Sequence, residues 1–297
     1  MANRQGQSSL SHLGVSRTPG DGCRRYRILE ITFDTRPYVL TLDTTHFGDA
    51  ERASWEATKA QILDELVAAF GSEHAERKQR DFMALGPSPL SVVAYHNEVF
   101  AQCRRAFIDG AYYPTLLGAC GLGERILNHL VLDLRESFAG HIATRRIARK
   151  ESFQNWARAL EVLGAWDVMR PETAVRYRRL EAARNAAVHY EAVTDNTWRE
   201  RALRAMTLLH QIIERQFGIS HEMPWLFAAD GAVFVRRSWE ETPFVTRFYL
   251  PNCALVSSQH DLAWQQDHFV PVDQIVDCPD VEWSDEEFAG AYERRER

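Results

Sequence analysis

Apolar residues recur at helical spacing through the middle of the chain, and this pattern constrains the fold more than any other feature. Ser88-Pro89 offers a cap followed by proline in a first turn, and Gly110 stands where that helix would stop. The spacing predicts helices over residues 89–110, 111–138, 153–164, 172–190 and 197–217. Because the connections are short, we expect these helices to pack as antiparallel neighbours in one bundle.

The two flanks of this region have a different pattern. Short strands are predicted at 25–33 and 38–42, a helix at 49–70, a linker at 72–88, and strands at 232–237, 244–250 and 269–276. Ser284 is the predicted cap of a last short helix. We therefore expect a mainly α protein: a loose N-terminus (1–24), an α/β extension (25–88), a helical bundle (89–217) and a small β-rich C-terminal domain (218–297).

Composition indicates an ordinary globular protein of 297 residues with a net charge of −6. No apolar run reaches the roughly 18–20 residues that span a bilayer, and the N-terminus lacks the apolar stretch of a secretory signal. The five cysteines are odd in number and include no Cys-x-x-Cys pair, which favours reduced thiols. We expect a cytoplasmic protein without a membrane partner.

Positive charge is concentrated in one part of this acidic chain. Residues 139–204 contain 13 Arg and Lys against 8 Asp and Glu. Such a segment can present a positive face to the phosphates of a nucleic acid. It is also what a solvated helical surface looks like, so charge alone leaves both interpretations open.

A polar motif interrupts the alanine-rich run LEAARNAAVHYE, residues 180–191. Arg184 is followed directly by Asn185, and His189 comes five residues after the arginine. Because the bare Arg-x4-His spacing is expected by chance in a chain of this composition, the context carries the prediction. The motif lies late in a predicted helix, within an all-helical segment, after a longer helix that contains GERILNHLVLDL (123–134).

In this context RNAAVH, residues 184–189, resembles the Arg-x4–6-His signature of HEPN domains, with a polar residue directly after the arginine. The preceding YYPTLLGACGLGERILNHLVLDL resembles an early HEPN helix, and the resemblance covers about residues 89–217. It implies a dimeric helical bundle. Many HEPN proteins are metal-independent ribonucleases of toxin–antitoxin, abortive-infection and other defence systems, and a minority are catalytically silent partners of nucleotidyltransferases.

These residue types fit the cleavage of RNA by its own 2′-OH. A histidine side chain can serve as general base or acid, an arginine binds phosphate oxygens, and an asparagine can orient the imidazole. Asn185 and His189 share a helix face, whereas Arg184 and His189 point about 140° apart on a regular helix. Two motifs facing each other across a dimer would converge on one phosphate, so we predict a composite site.

The sequence thus predicts a metal-independent endoribonuclease, a toxin or anti-phage defence effector, with Arg184, Asn185 and His189 as catalytic residues. Its expected partners are RNA, a second copy of the chain, and an antitoxin or sensor; no cofactor or metal is expected. The alternative is a non-catalytic HEPN module whose flanking domains bind a partner or a nucleotide. His189 would then be a helix-terminal histidine that packs its ring and bonds a carbonyl.

Other residues leave similar alternatives. Arg184 could pair with Glu181 or Glu191, and Glu124 either orients Arg184 or is simply solvated or ion-paired. The glycines of GACGLGE lie inside a predicted helix, where close packing explains them. Four residues of zinc-ligand type match no compact zinc module in their spacing: Cys253, His260, His268 and Cys278. Four tryptophans fit either a base-stacking surface or core packing: Trp225, Trp239, Trp264 and Trp283.

Overall fold

The protein is mainly helical with several small antiparallel sheets in a computed structural model that describes residues 17, 20–147, 155–189, 197–220, 222–265, 268–273 and 281–295. The elements run in the order β1 (Arg25–Ile28), β2 (Ile31–Asp34), α1 (Arg36–Thr41), α2 (Asp49–Phe70), α3 (Ala75–Leu85), β3 (Ser88–Val92), α4 (His96–Ile108), α5 (Tyr112–Leu134), α6 (Trp156–Ala165), α7 (Pro171–Val188), α8 (Trp198–Phe217), β4 (Leu226–Ala229), β5 (Ala232–Val235), α9 (Pro243–Phe248), β6 (Cys253–Val256), β7 (Asp261–Gln265), β8 (His268–Val272) and α10 (Asp285–Glu293).

The chain divides into two compact units. The sheet unit comprises Met1–Ile31, Ser91–Ala94 and Phe217–Arg297, and the helical unit comprises Thr32–Leu90 and Tyr95–Gln216. Strands β2 and β3 pair with each other, and the chain passes from one unit to the other within them.

The sheet unit is built on an antiparallel sheet with the strand order β4-β5-β1-β6. Strand β1 lies between two C-terminal strands, with Arg27 opposite Phe234 on β5 and Tyr26 opposite Leu255 on β6. The units therefore do not follow the contiguous domain boundaries expected from the sequence. Helix α10 buries Phe288 against this sheet, and the predicted Ser284 cap is present as a full capping box.

Helix α5 contributes more buried residues than any other described helix of the helical unit, and it packs against α4, α6 and α7. Its glycines mark the closest approaches. A Cβ on Gly118 would stand 2.9 Å from Cys103 Sγ, and one on Gly123 would stand 2.5 Å from Leu180 Cδ2. Close packing, as predicted, is therefore the reason for these two glycines, whereas Gly121 has nothing near it.

The helices predicted across 89–217 are present as α4 to α8, but several boundaries and flanking elements were wrong. Strand β3 occupies the expected start of the first helix, and helix α3 occupies most of the predicted linker. The strands predicted at 38–42 and 244–250 are short helices, α1 and α9. Both have a proline at the start, where its missing N–H costs nothing, and this signal outweighs a short apolar run that fits either structure.

The cysteines differ in their state. Cys23 is disulfide-bonded, so the prediction of reduced thiols is wrong for this residue. Cys103, Cys120 and Cys253 are free and buried, and Cys278 lies outside the described residues. No described helix is both long and apolar enough to cross a membrane.

Candidate functional site

The predicted motif occupies the last turn of α7. This helix begins at Pro171 and buries Thr173, Tyr177, Leu180 and Ala187 along one side. At 100° per residue Arg184 falls at the centre of this buried side, four residues after Leu180. The helix ends at Val188, so His189 is the first residue beyond it.

Arg184 is directed towards α5. Its Nε lies 3.7 Å from Oε2 of Glu124, and its Nη1 donates a hydrogen bond of 3.4 Å to Oδ1 of Asn185. The Glu124 side chain is 19% exposed and that of Arg184 42% exposed. Of the alternatives for these residues, the structure shows Glu124 paired with Arg184.

The close approach of α5 and α7 explains how this pair forms. Gly123 brings the two helix backbones together at Leu180, and Cys120 Sγ donates to the carbonyl of Leu180 at 3.6 Å. Burial raises the pKa of Cys120 to about 12, although the charge of Arg184 acts in the opposite direction. Cys120 is therefore a neutral packing residue beside the motif and not a nucleophile.

His189 points into solvent. Its N–H donates to the carbonyl of Asn185 at 3.1 Å, which keeps it one turn beyond Asn185. Its ψ of 131° then turns the chain out of the helix. Both residues are exposed, and within the described part of the chain, which omits 190–196, the imidazole forms no hydrogen bond or ion pair. The predicted shared side of Asn185 and His189 is thus retained.

A further arginine lies on this exposed side. Arg178, Asn185 and His189 fall within about 40° of one another around the helix axis, whereas Arg184 is about 140° from His189. Arg178 is exposed, as are the neighbouring apolar residues Val175 and Val188. A search for Arg-x4-His misses Arg178, although its spacing of seven residues to Asn185 is the signal that could have found it.

The predicted zinc-type residues do not form a site in the described residues, where no group of three or more His, Cys, Asp and Glu is placed to hold a metal. Cys253 is buried, and its thiol donates to the carbonyl of Tyr249. His260 is also buried, with Nδ1 2.6 Å from the carbonyl of Ser257, and burial lowers its pKa to about 4. Both residues therefore belong to the packing of the sheet unit.

The tryptophans of the C-terminal region have different environments. Trp225 packs against Trp239 with ring centres 6.0 Å apart and contacts Phe244 and Tyr249, which is core packing. Trp264 is instead 62% exposed and stands edge-to-face with Phe269 across the β7–β8 hairpin. The sequence could not separate these two cases, because exposure depends on which strand each residue joins.

The last turn of α7 thus presents an imidazole and an amide to solvent, with the guanidinium of Arg178 two turns before Asn185 on the same side and that of Arg184 held by Glu124. Such groups can exchange protons, donate hydrogen bonds and bind phosphate oxygens. Within one chain Arg184 and His189 do not converge. Comparisons of the chain with protein-family models, curated proteins and solved structures found no match.

Proposed function

We propose that this protein is a metal-independent endoribonuclease of the HEPN type, acting in the cytoplasm as a toxin or anti-phage defence effector. The observation that carries the proposal is the end of α7, where His189 and Asn185 are exposed together one turn apart. The resemblance of RNAAVH to the HEPN signature supports the same assignment. The Cys23 disulfide, which is unusual for a cytoplasmic protein, belongs to the sheet unit and not to the unit that carries the motif.

In the proposed reaction, the 2′-oxygen of RNA attacks the adjacent phosphorus while its proton passes to an imidazole. The bond from phosphorus to the 5′-oxygen breaks, and a proton is delivered to that oxygen. The products are a 2′,3′-cyclic phosphate and a free 5′-hydroxyl. His189 carries the proton transfer, Asn185 orients the imidazole, and Arg184 stabilises the charge that develops on the phosphate.

This assignment requires two copies of the chain. Arg184 is turned towards Glu124, about 140° around the helix from His189, so one motif does not place both groups on one phosphate. Two motifs related by a twofold axis bring the arginine of one copy near the histidine of the other. The imidazole that takes the proton of the 2′-hydroxyl then returns it to the 5′-oxygen. Val175 and Val188, which are 43% and 56% exposed, offer apolar contact area for this homodimer.

The test is the chemistry of cleavage. Purified protein should cut RNA in the presence of EDTA, because the proposed steps use only side chains and the RNA's own hydroxyl. The 5′ fragment should end in a 2′,3′-cyclic phosphate, and a 2′-deoxy substitution at the scissile position should prevent cutting. Fragments that end in a 3′-hydroxyl, or cleavage of the deoxy substrate at the normal rate, would contradict the proposal.

The Arg184–Glu124 pair favours a second candidate, the non-catalytic module that binds a partner or nucleotide. An arginine neutralised by a carboxylate in its own bundle can simply tie two helices together. The ribonuclease proposal also includes an antitoxin or sensor protein as a partner of this chain. The same assay separates the two candidates, since a non-catalytic module leaves RNA intact at any protein concentration.

A further inference from the structure

A cavity of about 450 Å³ lies within the helical unit, far along the sequence from the α7 motif and sharing no residue with it. Its walls come from the end of β2, the start of α1, the end of α2, α3, the start of β3 and one side of α4. Its volume is within the range of small-molecule sites. It is lined by Asp34, Arg36, Ala69, Phe70, Phe82, Ser88, Glu98, Ala101, Gln102, Arg104, Arg105 and Ile108.

Three arginines and two carboxylates, those of Asp34 and Glu98, line this cavity. Arg36 takes both oxygens of Asp34 in a fork, at 2.9 and 3.0 Å. Arg104 is 7% exposed and donates only to the carbonyls of Gly86 and Pro87, at 2.7 and 3.3 Å. No carboxylate of the described residues forms an ion pair with it, and three of its five N–H groups have no acceptor among them.

The buried charge of Arg104 is therefore compensated only in part. Burial lowers the pKa of Arg104 to about 10. The charge of Asp34 raises this pKa, and the charge of Arg36 lowers it further. A buried cation without a contacting anion is unfavourable, and an anion that enters the cavity relieves this cost.

Two arginines of the cavity lie against aromatic rings. Arg36 stands 5.5 Å from the ring centre of Phe82, which is buried, and Arg105 stands 5.4 Å from that of Phe70. Arg105 also donates to the carbonyl of Ala69 at 3.0 Å and forms an ion pair with Asp109 at 3.9 Å, although its side chain is 63% exposed. Its guanidinium is thus held at the rim with room for a further partner.

We propose that this cavity binds a small organic phosphate with a flat aromatic body, the class to which nucleoside monophosphates belong. Arg104 and Arg105 take the phosphate oxygens, since Asp34 holds Arg36 in a fork at 2.9 and 3.0 Å, whereas Asp109 lies 3.9 Å from Arg105. The flat body rests on the accessible apolar side of the cavity, which Ala69, Phe70 and Ala101 form. The inference is independent of the proposed cleavage of RNA.

The experiment measures binding of AMP, adenosine and inorganic phosphate to the full chain by titration calorimetry. AMP should bind in a saturable manner and more tightly than either of its parts. Arg105→Ala should weaken AMP binding by about tenfold or more, the scale of one lost charge-assisted hydrogen bond. The matched control Arg80→Ala, an equally exposed arginine of α3 outside this cavity, should bind AMP like the wild type.

Arg104→Lys keeps the charge but not the fork and should also weaken AMP binding, provided that circular dichroism shows the native helical content. No saturable AMP binding, or AMP binding unchanged by Arg105→Ala, would overturn the proposal. Phosphate binding as tight as that of AMP would overturn the role of the apolar side formed by Ala69, Phe70 and Ala101. His189→Ala should bind AMP normally. A protein that cleaves RNA but binds no AMP would refute this inference alone, and the converse would refute only the nuclease.

Discussion

Arg184 and Glu124 form an ion pair between α7 and α5, with Nε 3.7 Å from Oε2, at the point where Gly123 lets the two helices come closest. The pair fixes the direction of the arginine at the edge of the bundle. It leaves the imidazole of His189, on the other side of the helix, in solvent. A substitution of Arg184 therefore affects both the ion pair and the proposed chemistry, whereas a substitution of His189 affects the proposed chemistry alone.

Arg184→Ala is expected to cost little stability. The ion pair is partly exposed, and such pairs contribute about 0–1 kcal/mol to the free energy of unfolding. Urea unfolding of Arg184→Ala should therefore give a value within about 1 kcal/mol of the wild type. Its nuclease activity should nevertheless fall strongly, because a charge that stabilises the transition state is lost. A variant that unfolds easily would show that Arg184 holds the bundle together instead.

Gly123→Ala is expected to destabilise the helical unit. The added methyl group would meet Leu180 at 2.5 Å, and such overpacking costs about 1–3 kcal/mol. Gly121→Ala is the matched control in the same helix, where nothing lies within 4 Å, and it should stabilise the protein by about 0.5–1 kcal/mol. Thermal or urea unfolding measures both. Equal effects of the two substitutions would contradict the close α5–α7 contact.

The sequence predicted the helices of the bundle because long amphipathic segments such as α5 and α8 repeat their apolar positions many times. It predicted the position of His189 at a helix end for the same reason. It did not predict that β1 joins β5 and β6, since strand pairing over more than 200 residues leaves no local pattern. The sequence motif did not include the exposed Arg178, because that residue lies two helical turns before Asn185.

The composite site can be tested by mixing two inactive proteins. If the arginine of one copy acts with the histidine of the other, dimers of Arg184→Ala with His189→Ala contain one intact site. Equal mixing should restore roughly a quarter of wild-type cleavage, as random exchange of a symmetric dimer predicts. Each variant alone should be inactive. Light scattering should show a dimer, and a fully active monomer would exclude the composite site.

The sheet unit should lose stability as the pH falls below neutral because of His260. This buried side chain has Nδ1 against the carbonyl of Ser257 and Nε2 2.6 Å from Arg27 Nη1, and its pKa is lowered, chiefly by burial, to about 4. The unfolded chain takes up a proton near pH 6.5 and the folded chain does not until about pH 4. The stabilisation is therefore complete above pH 6.5 and is lost between these values.

Urea unfolding at pH 7.5 and pH 5.0 measures this loss, which should be about 2 kcal/mol for His260 alone. In His260→Gln the difference between the two pH values should be smaller by that amount. Burial also lowers the pKa of His96 in the helical unit, to about 3, so some pH dependence should remain in the variant. An unchanged pH dependence would show that His260 is not buried as a neutral imidazole.

Cleavage of RNA by His189→Ala measures whether the imidazole of His189 carries out the proton transfer. The assay uses total RNA in EDTA, with His46→Ala as a control because His46 is also an exposed histidine of the helical unit. We expect a rate about 10²–10⁴ lower for His189→Ala, with unchanged helical content, and a normal rate for His46→Ala. A correctly folded His189→Ala protein that cuts RNA at the wild-type rate would contradict this role of His189.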